Sequence, residues 1–197
     1  MLETGQPLHA FDYDLLRERA GGKPTIITRT ATEGEKIILL DGSEPKLDAQ
    51  IELVTDTAGP LSIAGVMGGG ETGVHAGTRN LLIESANWNF INLRKTLTKT
   101  RLSSEAAYRF SREVHPALAE TALSLCLKRV REWGGGEVVR GVLDEYGKPY
   151  TDTVNRITAK TIADVLGQEI SLEESAQILE RLGFTCWMEG NELVAKS

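Results

Sequence analysis

Three side chains in this sequence could do acid–base or water-positioning work: His9 and Glu84, which stand among apolar neighbours, and Ser104. His9 lies in Gly5-Gln6-Pro7-Leu8-His9-Ala10-Phe11-Asp12, and a histidine so placed is either packed against backbone or held for a task. Glu84 lies in Leu81-Leu82-Ile83-Glu84-Ser85-Ala86. Strand alternation puts it on one face with Leu82 and Ala86, either as an edge residue facing water or as a desolvated acceptor for a donor. Ser104, followed by Glu105, has first of all the chemistry of a helix cap.

Several other chemistries find no support. The run Ala64-Gly65-Val66-Met67-Gly68-Gly69-Gly70 lacks the spacing of a phosphate-binding loop and opens no helix. Its physical meaning is close backbone approach, to a strand or to a ligand. No GxSxG elbow exists for a serine-hydrolase triad, and His9, His75 and His115 lack the spacing of a metallohydrolase. Cys126 and Cys186 lie far apart with no CxxC, so neither a disulfide framework nor a zinc site is expected. Both read as thiols of a reducing compartment, and a cytoplasmic location is expected.

The 197 residues, 41% of them hydrophobic, suffice for one good core and a small second one. No apolar run approaches the roughly 20 residues that cross a bilayer, so no membrane partner is expected. The net charge of −6 is unlike a protein that grips a duplex. Charge is unevenly spread, however. Arg94, Lys95, Lys99 and Arg101 form a strip without an acid, whereas six acids follow Gln168. The strip is either a solvated helix face or a steering surface for a nucleic-acid strand end.

The elements that must position these residues are legible in outline. Strands are expected at Leu8–Phe11, Thr25–Thr28, Ile51–Asp56, Leu61–Met67 and Leu81–Ser85, with a hairpin around Asp41-Gly42 joining 36–40 to 43–47. Asp12 is expected to cap a brief helix through Arg19, followed by helices over 89–100, 105–113 and from Leu118 to the Gly134-Gly135-Gly136 stop. A strand over 137–143 is expected to return to the sheet. Beyond a polar linker around 146–152, helices over 158–166 and 171–182 precede two short strands around Gly190-Asn191. The fold class is therefore α+β, a mostly antiparallel sheet flanked by helices, followed by a truncated helix-turn-helix-like (winged) module.

Four strings, in this order, resemble one family: Gly5-Gln6-Pro7-Leu8-His9-Ala10-Phe11-Asp12, Leu39-Leu40-Asp41-Gly42, Ile63-Ala64-Gly65-Val66-Met67-Gly68-Gly69, and Ser104-Glu105-Ala106-Ala107-Tyr108-Arg109-Phe110. The chain resembles the beta subunit of bacterial phenylalanyl-tRNA synthetases in the domain that carries editing, with the match running from Gly5 to about Asp144. The resemblance implies a tRNA-editing domain over 1–148 and the N-terminal part of a small helix-turn-helix-like domain over 149–197. It implies hydrolysis of mischarged Tyr-tRNA(Phe), in a pocket lined by Gly68, Glu84 and Ala106 with His9 and Ser104 positioning water. The implied partners are the 3′ end of tRNA(Phe), contacted by Arg94, Lys95, Lys99 and Arg101, and the synthetase alpha subunit. ATP and Mg2+ are implied for the whole enzyme and no cofactor for this chain, since the synthetic site resides on the alpha subunit. Ser111, Glu113 and His115 depart from the family's pattern, and a family asparagine would lie before Met1. An architectural, tRNA-contacting module without hydrolysis is the alternative.

The implied chemistry has a physical reason. An apolar pocket rejects an isostere that merely adds a hydroxyl by only about 10²-fold. A second site that demands the hydroxyl inverts the selection. Glu84 would accept the tyrosine hydroxyl, and phenylalanine would leave that carboxylate without a donor.

Overall fold

β1 (His9–Asp12) pairs antiparallel with β6 (Leu81–Glu84), and this two-stranded sheet carries the histidine and the glutamate singled out above. The computed structural model describes residues 1–147 and 149–196. The chain forms two compact units, Met1–Gly141 and Val142–Ser197, each taken here by itself.

In the first unit, Asp12 ends β1 and caps α1 (Tyr13–Arg19), its carboxylate accepting from Asp14 N and Leu15 N. The other oxygen of Asp12 accepts from the Thr78 hydroxyl, and that bond holds its carboxyl below the usual range. A second sheet has the order β2 (Ile27–Thr30), β3 (Glu52–Thr55), β4 (Pro60–Ile63), β5 (Met67–Gly68), every pair antiparallel. The Leu61–Met67 stretch expected as one strand is therefore two, turned at Gly65, whose φ of +67° suits glycine. A Cβ there would also stand 2.6 Å from the Trp88 ring and 2.7 Å from Leu93.

Apolar alternation builds the core. Ile37, Leu39, Leu53, Ile63, Val66, Leu93, Ala107 and Phe110 belong to one buried cluster, which joins the β2–β5 sheet to α2 (Phe90–Thr100) and α3 (Glu105–Phe110). A smaller cluster of Phe11, Leu16, Val54, Leu61 and Ala64 joins the same sheet to β1 and α1. Arg19 anchors α1 to the β3–β4 turn, donating to the buried Asp56 at 2.8 Å. Asn89 caps α2, and α4 (Leu118–Gly134) follows.

Three expectations need correction. The Asp41-Gly42 turn forms, with Gly42 N donating to Leu39 O at 2.9 Å, but its arms do not pair as strands; Leu39 bridges Gly69 instead. Residues 137–143 are irregular and exposed, with Leu143 wholly open, and pair with no strand among the described residues. In the second unit, α5 (Ala159–Leu166) and α6 (Leu172–Arg181) are as expected, but β8 (Thr185–Glu189) and β9 (Glu192–Lys196) are joined by β7 (Val154–Thr158). β7 pairs along all of β9 to give the order β7-β9-β8. Asn155 and Arg156 interrupt its apolar pattern, so no strand is expected from sequence between the linker and the helix.

Candidate functional site

The β1–β6 register sets His9 directly opposite Glu84. Directly opposed residues leave the same face, with Cβ atoms roughly 4.5–5.5 Å apart. Phe11 is two residues on and so shares that face. It is fully buried and meets the His9 ring edge-on, with centroids 4.4 Å apart at 79°. Gly68 bounds the ring from β5: a Cβ there would stand 2.4 Å from His9 Cε1 and 2.9 Å from Nε2. Glycine at 68 is the space the histidine occupies.

The polar ends of this pair lack partners. His9 Nε2, Glu84 Oε2 and Gln6 Oε1 are buried without a hydrogen bond among the described residues. Native proteins pair nearly all such atoms, so each exception calls for a reason. Gln6 belongs to the same corner, since its amide nitrogen donates to Pro7 O at 2.9 Å and to Ala86 O at 2.7 Å. It thereby ties the chain before β1 to the chain after β6. The three atoms offer acceptors and an uncharged ring nitrogen to something carrying donors.

Burial sets their charge. The Glu84 side chain is only half-buried as a whole, yet its Oε2 is sealed, and desolvation pushes the carboxyl up to about 7. Desolvation also lowers the pKa of His9, which favours the neutral imidazole near neutrality. Neither shift arises from an opposite charge, so the pair is not an ion pair that merely stabilises the fold.

Ser104 has a filled hydroxyl: it donates to Val66 O at 2.6 Å and accepts from Ala107 N at 3.0 Å. It caps α3 and straps that helix to the turn two residues before Gly68. Ala106 is half-buried and, like Met67, packs against the larger core cluster, to which Val66 belongs. His9, Gly68 and Glu84 converge in one place, and Ser104 and Ala106 stand behind the β5 side of it.

The basic strip divides in two. Arg94 donates to Ser111 O at 2.7 Å and lies over the Phe90 ring, and Lys99 donates to Asp48 at 2.6 Å and to Gln50. Lys95 and Arg101 are exposed, and Arg101 ends α2 with a φ of +56°. Gln50, Ile91, Arg94, Lys95, Thr98 and Lys99 line a shallow depression on this face. Among the described residues, no three His, Cys, Asp or Glu side chains converge as metal ligands, and no helix is long and apolar enough to cross a membrane.

Residues 1–135 match the family described as the B3/4 domain. The chain belongs to the B3/4 domain family. It is 40% identical over 190 residues to the phenylalanine–tRNA ligase beta subunit of Moorella thermoacetica, covering 96% of this chain and 23% of that protein. It is 38% identical over 185 residues to the same subunit of Bacillus subtilis, covering 94% of this chain and 22% of that protein. The chain thus spans less than a quarter of these relatives. Among solved structures, an N-terminal fragment of the Pyrococcus horikoshii phenylalanyl-tRNA synthetase beta subunit gives a TM-score of 0.40 at 19% identity, over 96% of this chain and 53% of that one. The His9–Gly68–Glu84 corner lies wholly within the B3/4 match.

Sequence reasoning named His9, Gly68 and Glu84 but missed Gln6 and Leu40. Gln6 could have been suspected, since a glutamine beside Gly5 and Pro7 opens the string that carries the histidine. Leu40 gave a clearer signal. In Ile37-Ile38-Leu39-Leu40 every residue is apolar, so alternation must put two of them outward.

Proposed function

We propose that this B3/4 domain is the part of a phenylalanine–tRNA ligase beta subunit that hydrolyses Tyr-tRNA(Phe), removing tyrosine loaded in error. The reading rests on one observation: buried polar atoms of His9, Glu84 and Gln6, on β1, β6 and the chain beside them, have no hydrogen-bond partner among the described residues. Glu84 accepts the tyrosine hydroxyl, and phenylalanine, lacking it, leaves the acceptor unpaired. The discrimination expected from one such buried bond is on the order of 1–3 kcal/mol.

An aminoacyl ester is already activated, so positioning suffices. A water oxygen attacks the ester carbonyl carbon, the bond to the ribose oxygen breaks, and the leaving alcohol takes a proton. His9 Nε2, uncharged and unpaired, orients that water and takes its proton; backbone groups beside Gly68 complete the placement. Ser104 holds the Val66–Gly68 segment and acts through it as a positioning residue, and Ala106 backs the pocket wall. No covalent nucleophile is assigned.

The tRNA 3′ end and the alpha subunit are the partners this reading calls for, with Lys95 and Arg101 steering the acceptor strand and Arg94 and Lys99 flanking them. ATP and Mg2+ belong to ligation by the whole enzyme. The experiment is direct: incubate the chain, and the beta subunit that contains it with its alpha partner, with Tyr-tRNA(Phe) and Phe-tRNA(Phe). Release of tyrosine well above that of phenylalanine is expected. Equal or absent release from both forms would leave an architectural, tRNA-contacting role.

A further inference from the structure

Beside the His9–Glu84 pair the fold holds an apolar side chain out in the open. Residues 37–40 alternate, with Ile37 and Leu39 buried while Ile38 and Leu40 are 59% and 56% exposed. The outward residues are not loose. Leu40 N donates to Gly68 O at 2.9 Å, Gly70 N donates to Ile38 O at 2.9 Å, and Leu39 bridges Gly69. Backbone bonds thus fix Ile38, Leu39 and Leu40 along the glycine strip.

The Leu40 side chain lies across two of those glycines. A Cβ on Gly73 would meet Leu40 Cδ2 at 2.9 Å, and a Cβ on Gly68 would meet Cδ1 at 3.2 Å. The same Gly68 Cβ would meet His9 Cε1 at 2.4 Å. His9 and Leu40 therefore converge on the space before one glycine, one offering an unpaired nitrogen and the other an apolar surface. A leucine left in water forgoes the transfer free energy of its apolar area. One held rigidly beside orphaned polar atoms suits a ligand with an apolar body and a polar tip.

We infer that Leu40 is a substrate-binding residue, the apolar wall against which the aromatic ring of the esterified amino acid packs. The inference rests on the ester-hydrolysis reading and deepens it. Glu84 reads the phenol tip and Leu40 reads the ring, so Leu40 treats tyrosyl and phenylalanyl groups alike. Such a contact holds ground state and transition state equally and acts on KM rather than kcat.

The test uses the 197-residue chain with two non-hydrolysable probes, 3′-tyrosylamino- and 3′-phenylalanylamino-3′-deoxyadenosine, measured by calorimetry alongside tyrosine release from Tyr-tRNA. Leu40→Ala is expected to weaken both probes about tenfold, the scale for apolar atoms lost from a binding pocket. KM for Tyr-tRNA should rise to match, with kcat and melting temperature unchanged. Leu40→Met, which conserves volume, should restore binding. Unchanged probe affinity in Leu40→Ala overturns the inference, as does a loss that tracks a lowered melting temperature and resists Leu40→Met. If the wild-type chain binds the probes yet releases no tyrosine, the hydrolytic reading fails and the wall stands or falls on probe binding. If it binds neither probe, both fail.

Discussion

His9 and Glu84 stand opposite one another across β1 and β6, each with one buried polar atom that no other group among the described residues satisfies. A pair placed only for stability would be expected to bond or to face water, since leaving a buried polar atom unmade costs on the order of 1–3 kcal/mol. The cost is tolerable where a ligand completes the bonds, and glycine at 68 gives the His9 ring the space it occupies in the pair. This relationship sets the consequences of substitution.

Glu84→Gln keeps the shape and removes the titrating acceptor. Tyrosine release from Tyr-tRNA is expected to fall by roughly 10- to 100-fold, the worth of one buried charge-assisted bond. Release from Phe-tRNA should stay low, and the fold should hold, because the substitution removes a buried carboxyl. Single-turnover deacylation with both substrates measures this. Undiminished tyrosine release would take Glu84 out of the pocket.

The same carboxyl makes stability depend on pH with a definite sign. Its folded pKa of about 7 lies above the ordinary 4.5, so the folded chain binds more protons in that window and loses stability as pH rises through it. At about 1.4 kcal/mol per pH unit, the ceiling is roughly 3 kcal/mol. His9, with a lowered pKa, acts in the opposite sense below 6.5. Denaturant melts of wild type and Glu84→Gln between pH 4.5 and 8 separate the two. The wild type should lose ground to the variant as pH rises; parallel curves would mean that Glu84 is solvated.

Much of this corner was legible in the sequence because its signals are local. Asp12 and Asn89 cap helices where their side chains allow, and Glu84 stands out inside an apolar strand. Pairing was not legible where it depends on distant chain. Glu137–Leu143 has the composition of a strand but pairs with none among the described residues, whereas Val154–Thr158 pairs with β9 despite its polar residues. Strand propensity reports fitness for a pleated surface, and a neighbour decides whether the strand forms. The orphan status of Gln6 is likewise a product of packing.

Gly68→Ala tests the space reserved for the histidine. Gly68 does not need a left-handed backbone, so the effect is steric: the new methyl would stand 2.4 Å from His9 Cε1. The ring must shift or the strand must move, at a cost of about 1–3 kcal/mol. Tyrosine release should drop with it, and the His9 ring signals in an NMR spectrum should move. A silent substitution in both readouts would show that the ring has room to spare.

Ser104→Ala removes a helix cap and the donor to Val66 O together. Loss of the cap alone is worth about 0.5–2 kcal/mol, and the unpaired Val66 carbonyl adds to it. Ser104→Thr keeps the hydroxyl and should recover most of the stability and of the hydrolysis. If Ser104 itself held the water, Ser104→Ala would lower the rate by far more than a cap-loss variant elsewhere on the sheet–helix contact with the same fall in melting temperature, such as Asn89→Ala. The two outcomes part cleanly in a thermal melt run beside a deacylation assay.

The basic strip gives the last expectation, which separates residues that look equal in sequence. All four are exposed, but Arg94 and Lys99 are engaged within the chain, by Ser111 O and by Asp48 with Gln50, whereas the Lys95 and Arg101 side chains have no partner among the described residues. An engaged cation must first leave its partner to meet a phosphate, so the unengaged pair should carry more of the encounter with tRNA. Each phosphate contact on a single strand contributes about 0.7 to the slope of log affinity against log salt. Lys95→Gln with Arg101→Gln should therefore flatten that slope by about 1.4 and weaken Tyr-tRNA binding, leaving binding of a small tyrosyl-adenosine probe unchanged. Arg94→Gln with Lys99→Gln should flatten it less and lower the melting temperature instead. A titration series across salt concentrations decides, and equal slopes for wild type and the Lys95–Arg101 double variant would make this face a solvated one.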